Sequence, residues 1–260
     1  MNNPHSDTVR DYVRERYGAI AEQDDGCGCQ AKGCCGGSGS YSETIGYSAA
    51  DVASVPAGAD LGLGCGNPLA IAGIKPGETV LDLGSGAGFD AFLAARQLAG
   101  TGRVIGVDMT AAMISKARRN AERAGYANVE FRLGEIEALP VADASVDLII
   151  SNCVINLSPE KRRVFAEAFR VLKSGGRLAV SDVVATKPLP EEIRAQLPLI
   201  SACIGGASLV DNVREMLAAA GFARIEVAPR AGSRKVIAEW GPDARVADFL
   251  VSANITAWKP

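Results

Sequence analysis

The chain has 260 residues, of which 48% are hydrophobic and 22% are charged, and its formal net charge at pH 7 is −3. This composition indicates a globular protein built as one large domain or as one domain with a modest appendage. A mildly acidic chain without a basic block or stripe is not expected to bind nucleic acid as its main partner.

The sequence also bears on the cellular compartment. Its longest apolar runs, such as residues 146–150, are far too short to cross a bilayer, so no membrane partner is expected. Residues 1–18 are charged and contain no apolar core of a signal peptide, which predicts a cytoplasmic location. The seven cysteines are then expected to be thiols available for metal, metalloid or redox chemistry, because the cytoplasm is reducing. With His5 as the one histidine, Ser-His-Asp chemistry and a His-containing catalytic zinc site are not expected.

The N-terminal part, residues 1–60, is predicted to be a helix followed by a flexible segment. Apolar residues recur at helical spacing over 8–21, which predicts an amphipathic helix. Residues 24–40 have no periodicity and contain four cysteines in CGCQAKGCC, as expected of a mobile loop unless something binds its thiols. Ser48 and Asp51 fit a capping box, and Pro68 in the glycine-rich turn LGLGCGNP suits the first turn of a following helix.

From residue 79 strands and helices alternate, which predicts an α/β fold with a doubly wound, mostly parallel sheet covered on both faces. The predicted strands are 79–83, 103–107, 128–133, 146–150 and 177–184, and the predicted helices run to about residue 98 and over 110–124 and 159–172. Residues 61–185 form the predicted cofactor-binding core. Residues 186–260, the predicted C-terminal part, contain a helical stretch around Cys203, a helix over 211–220, a strand over 223–228 and an antiparallel partner strand over 249–259.

The first of these strands leads into a glycine loop, VLDLGSGAGFD. Glycines at 84, 86 and 88 allow positive φ and let the backbone approach a ligand closely. A dinucleotide site would require glycine or alanine where Phe89 stands. Asp108 ends the next strand, where an acid can accept both hydroxyls of a ribose. Asp82 places a carboxylate beside the loop, which suits a ligand that carries an ammonium group rather than phosphates.

These residues, followed by GVDMT, GEIEALPVADASVDLIISN and LKSGGRLAVSD, resemble the class I S-adenosylmethionine-dependent methyltransferases over residues 65 to 230. The resemblance implies a Rossmann-like, seven-stranded sheet with an antiparallel C-terminal strand, and S-adenosyl-L-methionine as cofactor. It also implies the cofactor contacts: Asp82, Gly84 and Gly86 around the methionine part, Asp108 on the ribose, Met109, Gly134, Glu135 and Ile136 at the adenine, and Asn152 near the sulfonium.

Cys153, in SNCVINLSP, follows the strand whose end should face the cofactor's methyl group. A lone cysteine there is more often a small hydrophobic filler. Cys65, however, has glycines on both sides, and Cys203 stands before two glycines; glycines are expected to expose a thiol rather than pack it. Three soft thiolates brought together favour a thiophilic centre. Without histidine, zinc would need a fourth thiolate from the N-terminal cluster, whereas a trivalent metalloid needs three.

LGLGCGNP, SNCVINLSP and ACIGGA resemble the three arsenic-binding motifs of the arsenite methyltransferase family. The resemblance implies that Cys65, Cys153 and Cys203 bind As(III), supplied as arsenite or as a thiol complex, and that methylation serves arsenic detoxification. The arsenic lone pair would attack the methyl carbon without a general base. The N-terminal cluster also resembles the family, where a cysteine supports the redox cycle with glutathione or thioredoxin as reductant. Among Cys27, Cys29, Cys34 and Cys35, the predicted redox residues are Cys34 or Cys35, which lie nearest the core.

Two other interpretations of the sequence remain open. One is a methyltransferase that acts on a small organic acceptor, such as a quinone or a lipid, with structural cysteines. The other is a non-catalytic metalloid- or zinc-binding protein. The first predicts turnover that is insensitive to blocking thiols, and the second predicts metal binding that survives loss of the cofactor site.

Overall fold

The computed structural model describes residues 4–22, 40–240 and 244–260. The α-helices of these residues are α1 Pro4–Glu22, α2 Tyr41–Ile45, α3 Ala49–Ser54, α4 Leu69–Ala72, α5 Phe89–Gln97, α6 Ala111–Ala124, α7 Lys161–Val171, α8 Glu191–Arg194, α9 Leu197–Ser201, α10 Val210–Ala219 and α11 Arg234–Ile237. Short 3-10 helices span Ile155–Leu157, Ala231–Ser233 and Ala244–Asp248. None of the helices in these ranges is both long and apolar enough to cross a membrane.

All strands of the described residues belong to one sheet: β1 Thr79–Leu83, β2 Arg103–Asp108, β3 Val129–Leu133, β4 Val146–Asn152, β5 Leu172–Ala185, β6 Ser208–Leu209, β7 Ala223–Arg230 and β8 Leu250–Trp258. The strand order is β3-β2-β1-β4-β5-β8-β7, and the two-residue β6 pairs with β5 beside this path. β1 to β5 pair in parallel, whereas β8 is antiparallel to both β5 and β7. The predicted doubly wound, seven-stranded, mostly parallel sheet with an antiparallel C-terminal strand is therefore confirmed, with β6 as an addition.

The sheet is buried on both faces, as a parallel sheet with covering helices must be. Alternate residues of β1 point to opposite faces, so Val80 joins a cluster that includes Phe92 of α5, and Leu81 joins one that includes Phe165 of α7. All five residues of β1 are buried. The continuous apolar runs in the sequence reflect this two-sided burial.

Some predicted boundaries differ from the structure. β5 begins at Leu172, five residues before the predicted strand, because Leu172 pairs with Val146 before the register shifts between Val146 and Leu148. The predicted helical stretch around Cys203 is two short helices, α8 and α9, and each has a proline near its start: Pro190 is the N-cap of α8, and Pro198 stands in the first turn of α9. The predicted capping box is present, with the Asp51 amide donating to Ser48 Oγ over 3.0 Å.

The C-terminal strands join the cofactor-binding core rather than standing apart from it. Residues 177–185 of β5, in the predicted 61–185 segment, pair with β8 of the predicted 186–260 segment. The domain boundaries after residues 60 and 185 stay predictions. The flexible segment predicted over residues 24–40 lies outside the described residues except for Ser40, the N-cap of α2.

Candidate active site

A cavity of about 480 Å³ opens at the carboxyl ends of β1, β2 and β4. Ligands of open α/β sheets bind at this edge, and the volume is in the range of small-molecule sites. All predicted cofactor residues except Gly134 and Glu135 line this cavity, namely Asp82, Gly84, Gly86, Asp108, Met109, Ile136 and Asn152. Two of the predicted arsenic ligands, Cys153 and Cys203, lie in its wall.

The glycine loop after β1 forms the floor of the cavity. Gly84 has φ +68°, and a Cβ atom there would lie 2.4 Å from Val154 Cγ2, so only glycine fits between this loop and the chain after β4. Gly86 also has a positive φ, but a Cβ atom there would meet nothing within 4 Å. This open space at a cavity wall is where a ligand can approach the backbone closely.

Asp108 at the end of β2 presents a fixed carboxylate to the cavity. Its Oδ2 accepts a hydrogen bond from the Gly86 amide over 3.0 Å, and its Oδ1 accepts one from the Thr110 amide over 2.8 Å. Burial raises the pKa of Asp108, and these backbone hydrogen bonds oppose the increase. Each oxygen retains a further lone pair, so the carboxylate can still accept hydrogen bonds from a diol.

Two more carboxylates, Asp82 and Asp90, are buried beside the loop. Burial raises the pKa of Asp82 well above its ordinary value, and the nearby charges of Asp90 and Asp108 raise it further. Burial also raises the pKa of Asp90 to about 6, although hydrogen bonds from Tyr47 and Asn152 lower it. A cationic ammonium group bound beside Asp82 would relieve this repulsion, so the cavity suits the charge of an amino-acid moiety.

The remaining two predicted adenine contacts have other partners. A Cβ atom on Gly134 would lie 2.7 Å from Pro140 Cδ, so this glycine allows close packing behind the cavity. Glu135 forms ion pairs with Arg10 at 3.6 Å and with Arg14 at 3.2 Å. Gly134 thus packs against Pro140, and Glu135 pairs with α1. The contact of both residues with adenine stays a prediction.

Helix α1 covers the cavity, which the sequence did not indicate. Arg10 donates to Glu137 over 3.3 Å and also contacts Glu160, while Tyr17 Oη donates to the Ser201 carbonyl over 3.2 Å. These contacts attach α1 to the segments before and after β4 at one end and to α9 at the other. The helical pattern of Val9, Val13 and Tyr17 predicted the apolar face of α1 but not the surface on which it packs.

The structure brings the three predicted arsenic ligands together in one buried cluster. Cys65 Sγ, Cys153 Sγ and a carboxylate oxygen of Asp182 lie within 4.8 Å of one another. Cys203 Sγ donates a hydrogen bond to the Cys153 carbonyl over 2.7 Å. Cys153 has φ +60° and Cys203 has φ +61°, a conformation that L-residues seldom adopt, so both thiols are aimed by unusual turns.

Burial favours the protonated form of two thiols of this cluster, Cys65 and Cys153. Burial raises the pKa of Cys65, and it raises the pKa of Cys153 well above its usual value, where hydrogen bonds with Cys203 and Cys65 add to the effect. A buried thiolate therefore forms here only when a cationic or covalently binding centre stabilises it.

Asp182, near the end of β5, is a site residue that sequence reasoning missed. Burial raises its pKa to about 6, opposed by backbone hydrogen bonds and by the charge of Lys161. Its Oδ1 accepts hydrogen bonds from Asn156 Nδ2 over 2.9 Å and from the Val183 amide over 2.7 Å. Its Oδ2 accepts a hydrogen bond from the Asn156 amide over 3.3 Å, so the turn after β4 holds this carboxylate beside Cys65 and Cys153. The N-terminal cysteines Cys27, Cys29, Cys34 and Cys35 lie outside the described residues.

Residues 74–221 match a family model described as a methyltransferase domain. The chain is 54% identical over 261 residues to the arsenite methyltransferase of Halobacterium salinarum, covering 97% of this chain and 67% of that protein. It is 43% identical to the arsenite methyltransferase of Aquipseudomonas alcaligenes, covering 70% of this chain and 55% of that protein. The crystal structure of CrArsM, an arsenic(III) S-adenosylmethionine methyltransferase from Chlamydomonas reinhardtii, superposes with a TM-score of 0.65 at 33% identity, covering 84% of this chain and 73% of that one.

Proposed function

The chain belongs to the methyltransferase-domain family and, within it, to the arsenite methyltransferases, and from this premise we propose that it methylates trivalent arsenic held by Cys65, Cys153 and Cys203. S-adenosylmethionine supplies, when bound, an electrophilic methyl group on a sulfonium. The observation that carries the proposal is the buried thiol cluster, two members of which form the wall of the cofactor cavity.

The chemistry of the substrate agrees with the raised pKa of the buried thiols Cys65 and Cys153. For each As–S bond that forms from arsenite, one As–O bond breaks, and the thiol proton leaves with the hydroxide as water. With thiol-bound As(III), the proton passes instead to the departing thiol. Protonated thiols are thus the correct starting state, and no separate base is needed. Three sulfurs hold arsenic in a pyramid and leave its lone pair free, which gives the nucleophile without a histidine.

The same observation disfavours the other interpretations. A quinone or lipid acceptor would give no reason to gather three thiols at the methyl-transfer end of the cavity. A non-catalytic zinc or metalloid site would give no reason for Cys153 and Cys203 to line the cofactor cavity.

The redox part of the proposal concerns the N-terminal cysteines. Transfer of a methyl group to the arsenic lone pair makes arsenic formally pentavalent, and two electrons must return it to the trivalent state. Two thiols supply these electrons as they form one disulfide, and Cys34 or Cys35 is the proposed participant. Glutathione or thioredoxin then reduces the disulfide. A cytoplasmic location, which we also propose, provides both reductants.

The reaction is tested by its products. Purified protein incubated with arsenite, glutathione and S-adenosylmethionine labelled in its methyl group should place the label in methylated arsenicals, separated by chromatography. An organic acceptor added in place of arsenite should take up no label. Labelled quinone, or the absence of any labelled arsenical, would disprove the proposed reaction.

Replacement of Asp108 by alanine tests the proposed contact with the ribose of the cofactor. The variant loses the fixed carboxylate that is proposed to accept the ribose hydroxyls, at a cost of about 1.5–3 kcal/mol, and S-adenosylmethionine affinity should fall roughly ten- to a hundredfold. Arsenite affinity should stay nearly unchanged, because Asp108 is not among the cluster of three thiols and Asp182. Calorimetry with S-adenosylmethionine and with arsenite measures the two affinities separately. An unchanged cofactor affinity would remove Asp108 from the site.

A further inference from the structure

Two asparagines, Asn152 and Asn156, lie on either side of Cys153 in SNCVINLSP, and neither binds arsenic in the proposed reaction. Asn152 is the last residue of β4, and Asn156 lies in the 3-10 helix Ile155–Leu157. Asn156 is buried, and Asn152 is partly buried at the cavity wall. Each carboxamide is engaged with a different neighbouring segment of the chain.

The carboxamide of Asn152 forms hydrogen bonds with the loop that contains Cys65. Its Oδ1 accepts a hydrogen bond from the Cys65 amide over 3.0 Å, and its Nδ2 donates to the Gly66 carbonyl over 2.8 Å. The same Nδ2 lies 2.9 Å from Tyr47 Oη. A Cβ atom on Gly64 would lie 2.9 Å from Nδ2, so glycine is needed for the loop to lie against this side chain. The backbone on both sides of the Cys65 thiol is therefore fixed to the end of β4.

Asn156 fixes the turn against which the segment that contains Cys203 packs. Its Nδ2 donates to Asp182 Oδ1 over 2.9 Å and to the Val183 carbonyl over 2.5 Å, which fixes the turn after Cys153 on β5. A Cβ atom on Gly206 would lie 2.0 Å from the Asn156 carbonyl oxygen, so the backbone just after Cys203 packs directly on the Asn156 backbone. The turn that contains Asn156 is thus the surface on which the Cys203 segment packs.

We propose that Asn152 and Asn156 are positioning residues that assemble the three-thiol site, Asn152 by holding Cys65 and Asn156 by holding Cys203, with Cys153 fixed between them. This inference rests on the proposed arsenic binding by the same three cysteines. Three thiols from distant parts of the chain act as one ligand set only when their backbones are held in register, because each free loop lowers the effective concentration of its thiol at the others. The hydrogen bonds of Asn152 also give its amide a function other than contact with the sulfonium.

Each asparagine should therefore determine whether one of the three cysteines binds arsenic. In Asn152→Ala the Cys65 loop is released and arsenic retains Cys153 and Cys203, whereas in Asn156→Ala arsenic retains Cys65 and Cys153. Arsenic K-edge absorption should count three sulfurs in the wild-type complex and two in either variant. Arsenite affinity should fall on the order of tenfold or more, because the third thiol no longer has a high effective concentration. Methylarsonous acid, which forms only two As–S bonds, should still bind and be methylated.

The matched control is Asn128→Ala, which removes a comparable amide, bonded to the Gly102 carbonyl over 3.3 Å, at the opposite edge of the sheet. It should keep three sulfurs and the wild-type arsenite affinity. Thermal unfolding identifies variants that fail to fold, and for those the Asn→Ser variants, which keep one hydrogen-bonding atom, replace the alanine variants.

A double-variant comparison then tests which sulfur each asparagine serves. Asn152→Ala should add nothing to the defect of Cys65→Ser but should abolish tight binding when combined with Cys203→Ser. Folded asparagine variants that retain three sulfurs and wild-type arsenite affinity would overturn the inference. A wild-type protein that binds arsenic through fewer than three sulfurs would instead overturn the proposed function, so the two failures are distinguishable.

Discussion

Replacement of Cys153 by serine should abolish arsenite methylation and leave a folded protein that still binds S-adenosylmethionine. Cys153 is the central member of the thiol cluster: its Sγ lies within 4.8 Å of Cys65 Sγ, and its carbonyl accepts the hydrogen bond of Cys203. Serine is nearly isosteric with cysteine but supplies a hard oxygen where arsenic prefers a soft sulfur. Because the backbone at φ +60° is unchanged by this substitution, the loss should appear in chemistry and not in stability.

The measurement is transfer of the labelled methyl group to arsenic, with cofactor affinity and thermal unfolding as the checks on the fold. Cys65→Ser and Cys203→Ser should show the same loss with arsenite. With methylarsonous acid as substrate these two variants should retain part of their activity, because two thiols suffice for that substrate. If Cys153→Ser methylates arsenite at the wild-type rate, Cys153 is a hydrophobic filler, and the cluster does not hold the substrate.

The strands of the core could be predicted closely because each is an apolar run with a turn at its end. β1 matches the predicted range because burial on both faces requires five consecutive residues without an exposed position. β5 was predicted too short because its first residues, Leu172 to Gly176, contain a charged residue and two glycines, and the strand begins where Leu172 pairs with β4 before a register shift. No local pattern encodes that pairing.

The structure places most of the predicted site residues around one cavity, whereas their contacts within the protein were not predicted. The glycine loop, Asp108 and the cysteine motifs are local, and each stands next to a strand end that the sequence identifies. The packing of α1 on the cavity is not local, because Arg10 meets Glu137 across a separation of 127 residues. Glu135 was assigned to the adenine by its place after β3, whereas its ion pairs with α1 depend on that same long-range packing.

Asp182 and the two asparagines illustrate the same limit. Nothing in SNCVINLSP distinguishes an amide that meets the cofactor from one that holds a loop, since both follow a strand end. The difference arises from Cys65 and Gly66, which reach Asn152 from a segment far earlier in the chain. Sequence patterns thus select the chemically able residues, and tertiary structure decides which of them touches the substrate.

Replacement of Cys27, Cys29, Cys34 and Cys35 together by serine should limit the enzyme to about one methyl transfer per protein molecule when a protein reductant is supplied. Arsenite binding should be largely preserved, because Cys65, Cys153 and Cys203 remain. The first transfer needs no electrons, but the pentavalent product needs two electrons, and without the N-terminal thiols it should accumulate. A segment rich in glycine and serine can bring a thiol to a neighbouring site without a packed core of its own.

Rapid quenching separates the first methyl transfer from later ones. The loss of repeated turnover should be most severe with thioredoxin as reductant, because glutathione is small enough to reduce the product directly. Serine replacement of Cys34 and Cys35 alone should reproduce the defect, while replacement of Cys27 and Cys29 alone serves as the matched control and should turn over repeatedly. After one turnover without reductant, mass spectrometry of the wild-type protein should find a disulfide that includes Cys34 or Cys35. Normal repeated turnover by the fourfold variant, with no such disulfide in the wild type, would show that the arsenic is reduced from solution and that the N-terminal cysteines take no part in the cycle.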